Sequence, residues 1–354
     1  MDEDLLRLSR EQLIEEVFAN GARSHPECPL PPIATFLPSR IMRILSVVRR
    51  GRPLASGQVS RVTPEAEELN ERGRELADAG RLADAEAAYR SAIARAPEWS
   101  VPAYNLGLLL KYQRRWPESL AANRRAAELA PDDQAAWWNL GIAATALGEW
   151  PAAREAWTRC GLTPPPGDGA PRFDFGMVPI RLNPDADGEV VWADRIDPAR
   201  AVLRSIPLAR SGFRWRDVVL HDGAAVGHRM RQGREVPVFN ALDRLDPSPF
   251  STYELEVALA SRDDFDALSD AAERAGGAAE HWGQTVTYLC RACSEGTPHG
   301  EHDDIGAAGA LPCAVAALTD AHLDQIVEIW RRVAPGARVL ARRLTAAPGR
   351  PTPA

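Results

Sequence analysis

Cysteine, net positive charge and long apolar runs are all scarce in this chain, and each scarcity removes a class of function. Its 354 residues include five cysteines, an odd number in which only Cys290 and Cys293 lie close together. That pattern builds no disulfide framework, so reduced thiols and the cytoplasm are expected. Lys and Arg number 42 against 49 Asp and Glu, a net charge of −7. A nucleic-acid partner calls for a basic excess, so DNA and RNA are not expected partners. No apolar run approaches the ~20 residues of a membrane span. The acidic opening Met1-Asp2-Glu3-Asp4 is unlike the basic start of a signal peptide. G-x-S-x-G, the P-loop and G-x-G-x-x-G are absent, so no motif commits the chain to a reaction. What is left is a cytoplasmic protein long enough for two or three domains.

What the chain does have is a period. Gly73, Gly107 and Gly141 are 34 residues apart, as are Pro97 and Pro131, Leu106 and Leu140, and the pairs Trp116-Pro117 and Trp150-Pro151. A fixed period of this size marks stacked supersecondary units. Each unit reads as two helices with a turn between them. Glycine inside a helix costs about 1 kcal/mol against alanine, so three at one register point to close helix packing. Pro97 and Pro131 lack the amide a helix needs and stop the second helix. One unit cannot bury its own apolar face, and about three are needed for a core. Leu162 to Pro171 is too rich in proline and glycine to add a capping helix, so the last unit is expected to lean on the C-terminal region.

The length, the Leu-Gly pair, the later alanine (Ala85, Ala153), the aromatic at Tyr89 and Trp157 and the closing proline resemble the tetratricopeptide repeat family over residues 65–162. Arg72 and Asn123 depart from its pattern, where leucine and an aromatic are usual. The resemblance implies an all-α array of three helix pairs with a concave face lined by the first helix of each. Mapped onto this chain, that face carries Asn70, Arg74, Val101, Tyr104, Leu108, Lys111, Tyr112, Trp138 and Ile142. Tyr104, Leu108, Lys111 and Trp138 are expected to form one continuous solvent-facing surface. Family members that clamp a chaperone's C-terminal carboxylate add basic groups where this chain has Ala135 and Asn139, although Asn105 matches one clamp position. The aromatic and aliphatic lining suits an extended or helical protein or peptide ligand instead.

Flanking regions read differently. Residues 1–60 combine a capped helix near Gln12–Asn20, a proline-rich stretch and an arginine-rich amphipathic segment around Ser39–Arg50, which reads as a cap on the first unit or, alternatively, as a helix for a partner or an anionic surface. Residues 163–172 form a Pro/Gly linker. From 173 to 250 the short runs Met177–Leu182, Glu189–Trp192, Ala201–Ile206, Asp217–Leu220 and Val236–Phe239 suggest a small β-rich, barrel-like domain. From 251 to 345 the order of strands (Tyr253–Leu259, Thr285–Leu289, Leu311–Leu318, Ala337–Ala341) and helices (Asp263–Ala275, Asp320–Val333) resembles a ferredoxin-like β-α-β-β-α-β plan, making the region α+β. Residues 346–354 read as a disordered tail.

Two constellations deserve chemistry. Cys290, Cys293, His299 and His302 offer two thiolates and two imidazoles, the donor set of a structural zinc site. His221-Asp222 and His228 offer an acid–base pair, but neighbours on a strand point to opposite faces, so a turn is the expected role. The reading is a non-enzymatic adaptor that binds a partner in the concave groove. The alternative is a C-terminal metal-dependent enzyme or regulatory domain controlled by the array.

Overall fold

The computed structural model describes residues 62–347 apart from 187, 232, 233, 262 and 283–310. Six helices come first: α1 Pro64–Asp78, α2 Leu82–Arg95, α3 Ser100–Tyr112, α4 Trp116–Leu129, α5 Gln134–Ala146 and α6 Trp150–Arg159. Their starts are encoded locally. The Thr63 hydroxyl accepts the Ala66 amide at 3.3 Å with proline at the first helical turn. The Asp133 carboxylate accepts the Ala135 amide at 3.1 Å, and Pro117 and Pro151 open α4 and α6, where no amide is required. The repeated glycines act alike in all three pairs. A Cβ on Gly73, Gly107 or Gly141 would lie 2.6, 2.5 or 2.5 Å from Tyr89, Asn123 or Trp157, each sixteen residues downstream. Only a bare backbone lets the second helix of each pair approach this closely.

Turns within the pairs repeat too. Gly80 and Gly148 have φ of +74° and +70°, and the middle pair places Arg114 there at +58°.

Strands β1 Met177–Leu182, β2 Glu189–Arg195, β3 Arg200–Leu203, β4 Val218–Arg231 and β5 Arg234–Asp246 follow. Neighbours run antiparallel in chain order, and β1 also pairs with β5 in parallel, Ile180 against Phe239, so the sheet closes on itself. Val178, Ile180, Leu182, Val191, Leu203, Val219 and Phe239 fill its interior. β4 and β5 are longer than their sequence suggests. Gly223, Ala224, Ala225 and Gly227 hide the strand signal, and the pairing steps through register shifts between Leu220 and Gly227. His221-Asp222 therefore lies inside a strand and not in a turn.

The second sheet orders β7 Ala278–His281, β8 Leu311–Ala317, β6 Ser251–Ala258 and β9 Arg338–Ala346, antiparallel throughout. Helices α7 Asp263–Arg274 and α8 Asp320–Val333 cover one face through Leu268, Ala271, Leu323, Ile326 and Trp330. Thr319 caps α8 by accepting the His322 amide at 3.2 Å. The opposite face, Ala314 and Ala316, meets Ile206, Trp215, Phe250 and Trp282. The second strand in this order is Ala278–His281, and the expected Thr285–Leu289 lies outside the described residues. Gly276 at φ +83° ends α7, and Gly277 sits where a Cβ would be 2.5 Å from the Ala316 carbonyl. The chain thus turns directly into a short, alanine-rich strand with no β signature of its own.

Candidate interaction site

Strand alternation decides what the first sheet presents to the helices. Val219 faces its interior, and His221, stacked on Phe239 with ring centroids 5.1 Å apart, lies on the same side. Leu220 and Asp222 point the other way, towards α3 and α5. The Asp222 carboxylate lies 3.0 Å from Lys111 Nζ and accepts the Tyr112 hydroxyl at 2.7 Å. Lys111 Nζ also donates to Asn139 Oδ1 at 3.0 Å. Lys111 is the one lysine among the chain's 42 lysines and arginines. It is a compact point charge suited to one carboxylate oxygen, where a guanidinium would demand a flat, wider fork.

Burial sets the electrostatics. Burial alone pushes the Asp222 carboxyl up. The Lys111 ammonium and the bonds from Tyr112, Lys111 and the Ala224 amide outweigh it and hold the group below its ordinary value. The Tyr112 phenol is driven well above its usual range by burial and by the adjacent carboxylate. His221 is sealed inside the first sheet, and burial, then Arg195, push it down to about 3. Its Nδ1 donates to the Asp222 backbone carbonyl at 3.1 Å, while the Asp222 carboxylate is turned to Lys111. The two residues therefore do not form an acid–base pair. His228 is exposed further along β4.

The next residue completes the contact. Gly223 lies under the Trp138 indole, where a Cβ would come 2.2 Å from Nε1. Trp138 stands edge-on to Trp157, 5.2 Å between centroids, and Trp157 in turn lies on Gly141. A second contact flanks the first. Trp116 Nε1 donates to Asp243 at 3.1 Å, and Arg114 is 3.7 Å from the same carboxylate. The Arg200 guanidinium sits 4.8 Å over the Trp150 ring. Ala199, Leu220 and Leu242 join Ala103, Leu140, Ile142 and Trp157 in one apolar cluster.

The expected open surface is therefore corrected. Leu108 and Lys111 are 4 % and 2 % exposed and Ile142 is fully buried. Tyr104, Tyr112 and Trp138 are half-buried and packed on the cluster, and Val101 is half-buried. Asn70 is buried and accepts the Asn105 amide at 2.9 Å, and Arg74 pairs with Glu71. A face this rich in apolar and aromatic groups would leave much hydrocarbon in water, and β4 covers it. Asp243, Trp116 and Gly223 escaped the sequence reading. The available signal was the lone lysine at an apolar register of α3, which once buried needs an anion.

Cys290, Cys293, His299 and His302 lie outside the described residues. Among the described residues no group of three or more His, Cys, Asp or Glu side chains could hold a metal ion. Likewise, no described helix is long and apolar enough to cross a membrane. Glu189 accepts the Leu208 amide at 3.0 and 3.1 Å and lines a cavity of about 200 Å³ with Asn183, Ala186, Arg210 and Ser211. Burial pushes its carboxyl up to about 7.

A family model described as tetratricopeptide repeat matches residues 104–166. The helical array is a tetratricopeptide repeat region. Solved structures similar to it include the second TPR of Spaghetti (RPAP3) bound to the HSP90 peptide SRMEEVD, 20 % identical over 27 % of this chain and 90 % of that one, with a TM-score of 0.27. The TPR2B-domain:pHsp70 complex of yeast Sti1 is 28 % identical over 28 % and 78 %, with a TM-score of 0.27. The Sgt2 TPR domain from Aspergillus fumigatus is 20 % identical over 30 % and 70 %, again at 0.27. No curated protein matches the chain.

Proposed function

We propose that the chain is a non-enzymatic, cytoplasmic adaptor whose tetratricopeptide array takes up a protein or peptide partner on the face lined by α1, α3 and α5. The observation that carries this reading is that the face already holds an extended strand, with Lys111 and Tyr112 on its Asp222 carboxylate and Trp138 on its Gly223. Aromatic anchors around one buried cation are the makings of a peptide site. The strand order β7-β8-β6-β9 supports a ferredoxin-like plan for the last region, and the closed sheet before it supports a small barrel. In this reading both support the array. Zinc at Cys290, Cys293, His299 and His302 belongs to the proposal as a structural ion, and about one equivalent by elemental analysis, lowered in Cys293→Ser, is the expected result.

The test of the adaptor is affinity purification from the native cell with the full chain and its Tyr104→Ala/Trp138→Ala variant. A reproducible partner that disappears while the helical circular dichroism persists is expected. The same partners on both chains would remove this face from the function.

A further inference from the structure

Residues 220–223 occupy the array as a ligand would. Leu220 enters the apolar cluster, His221 turns back into the barrel, Asp222 reaches Lys111 and Tyr112, and Gly223 lies flat against Trp138. The requirements are separable. The lone lysine is buried, and its hydrogen-bond partners are Asn139 and Asp222, so the face without an anion would hold an ammonium against one neutral amide and the Tyr112 ring, with no counter-charge. A buried, uncompensated charge is strongly destabilising, so the site selects for a carboxylate. The indole of Trp138 is braced by Trp157 and cannot fold away like a flexible chain end, so the residue after the acid must lack a Cβ. Extended backbone then sets the apolar residue two positions before the acid on the same side.

We infer that this face recognises an extended segment in which an apolar residue is followed two positions later by an acidic side chain and directly after that by glycine. The chain's own Leu220–Gly223 is the occupant in cis, and a partner segment of that chemistry binds by displacing it. The inference rests on the adaptor reading and names the class of partner for the same face.

Lys111 supplies the readout, because acylation of any lysine in this chain is acylation of this site. The probe is a fluorescent synthetic peptide copying Asp217–Val226, tested against the full-length chain. On the wild type, Lys111 is expected to resist acylation and the peptide to bind weakly. In Gly223→Leu the new side chain meets the indole and the strand leaves the face. Lys111 then becomes reactive, the peptide binds, and bound peptide protects Lys111 again. The same peptide carrying Asp222→Asn is expected to bind at least about tenfold more weakly, the fold-change that loss of a charge-assisted hydrogen bond produces. Asp222→Asn in the chain is the second variant. It preserves side-chain volume and weakens the occupant without overpacking, so it answers if Gly223→Leu fails to fold. A folded variant with reactive Lys111 that ignores the peptide, or binds it equally well with Asp222→Asn, overturns the inference. Lys111 staying unreactive in both variants also overturns it. Capture of a cellular protein by the opened chain without peptide binding sinks this inference alone, whereas peptide binding without any protein capture sinks the adaptor reading alone.

Discussion

Replacing Lys111 with methionine asks whether a buried ion pair holds the first sheet on the array. The change keeps an unbranched side chain of similar length and removes the charge. Lys111 and Asp222 are 2 % and 5 % exposed, so water cannot take over the lost contact. Breaking a buried pair from one side typically costs ~3–5 kcal/mol. Here Asp222 keeps the Tyr112 hydroxyl and the Ala224 amide, so the lower end, about 3 kcal/mol, is expected. Asp222→Leu should cost a similar amount, because it leaves the buried ammonium with only the neutral Asn139 amide and the Tyr112 ring. The double variant Lys111→Met/Asp222→Leu should return to within ~1 kcal/mol of wild type, since apolar replacement of a buried pair is often neutral. The assay is urea unfolding followed by helical circular dichroism and tryptophan fluorescence, with m unchanged. A pH arm adds the sign. The Asp222 carboxyl is held below its ordinary value, so its contribution is present above about 4 and lost as pH falls through the folded value. The double variant lacks that loss. Single variants near wild type, or a double variant equal to the sum of the singles, would refute the reasoning.

Three more outcomes follow from the same packing and burial. Gly107→Leu should destabilise the array by ~1–3 kcal/mol, because its Cβ would already lie 2.5 Å from Asn123, and an unchanged urea midpoint would contradict the packing. His221, held down to about 3, stays neutral in the fold while the unfolded chain takes up a proton below about 6.5. Its share of stability is therefore full above 6.5 and falls as pH drops towards 3, and His221→Leu should show a flatter acid limb between pH 7.5 and 4.5 in thermal melts. Glu189 has the opposite sign. Raised to about 7, it favours the fold while protonated and loses that share as pH rises from about 4.3 through 7, so Glu189→Gln should melt higher than wild type at pH 8 and nearly alike at pH 5.

The helical half was legible because its signals are local and repeated. Glycines at one register and prolines at helix ends each state a backbone requirement that holds whatever lies outside the unit. The long strands were not legible. Gly223, Ala224, Ala225 and Gly227 disfavour a strand, and the pairing with β5 that orders them is a tertiary fact. Of the lining placed by register, Lys111, Tyr112 and Trp138 meet residues 222–223, whereas Asn70 and Arg74 bond Asn105 and Glu71 instead. What covers them could not be placed. Asp222 drew notice as a neighbour of His221, yet its partner is 111 residues away in the chain. Charge and periodicity within a segment say nothing about which distant segment supplies the counter-charge.

The departures from the period were the better guide. Lys111 stands where the other units have Ala77 and Thr145, Tyr112 where they have Asp78 and Ala146, and Arg114 where they have Gly80 and Gly148. All three reach the first sheet, the first two through Asp222 on β4 and the third through Asp243 on β5. Arg114 even holds the left-handed backbone that glycine adopts in its sister turns, a conformation disfavoured for a side chain. In a repeat array the shared residues build the stack, so residues peculiar to one unit are released from that task and free to serve contacts outside it. Here those contacts give the array a cover where no capping helix follows residue 162. They also leave its most specific side chains engaged on a strand that a partner would have to replace.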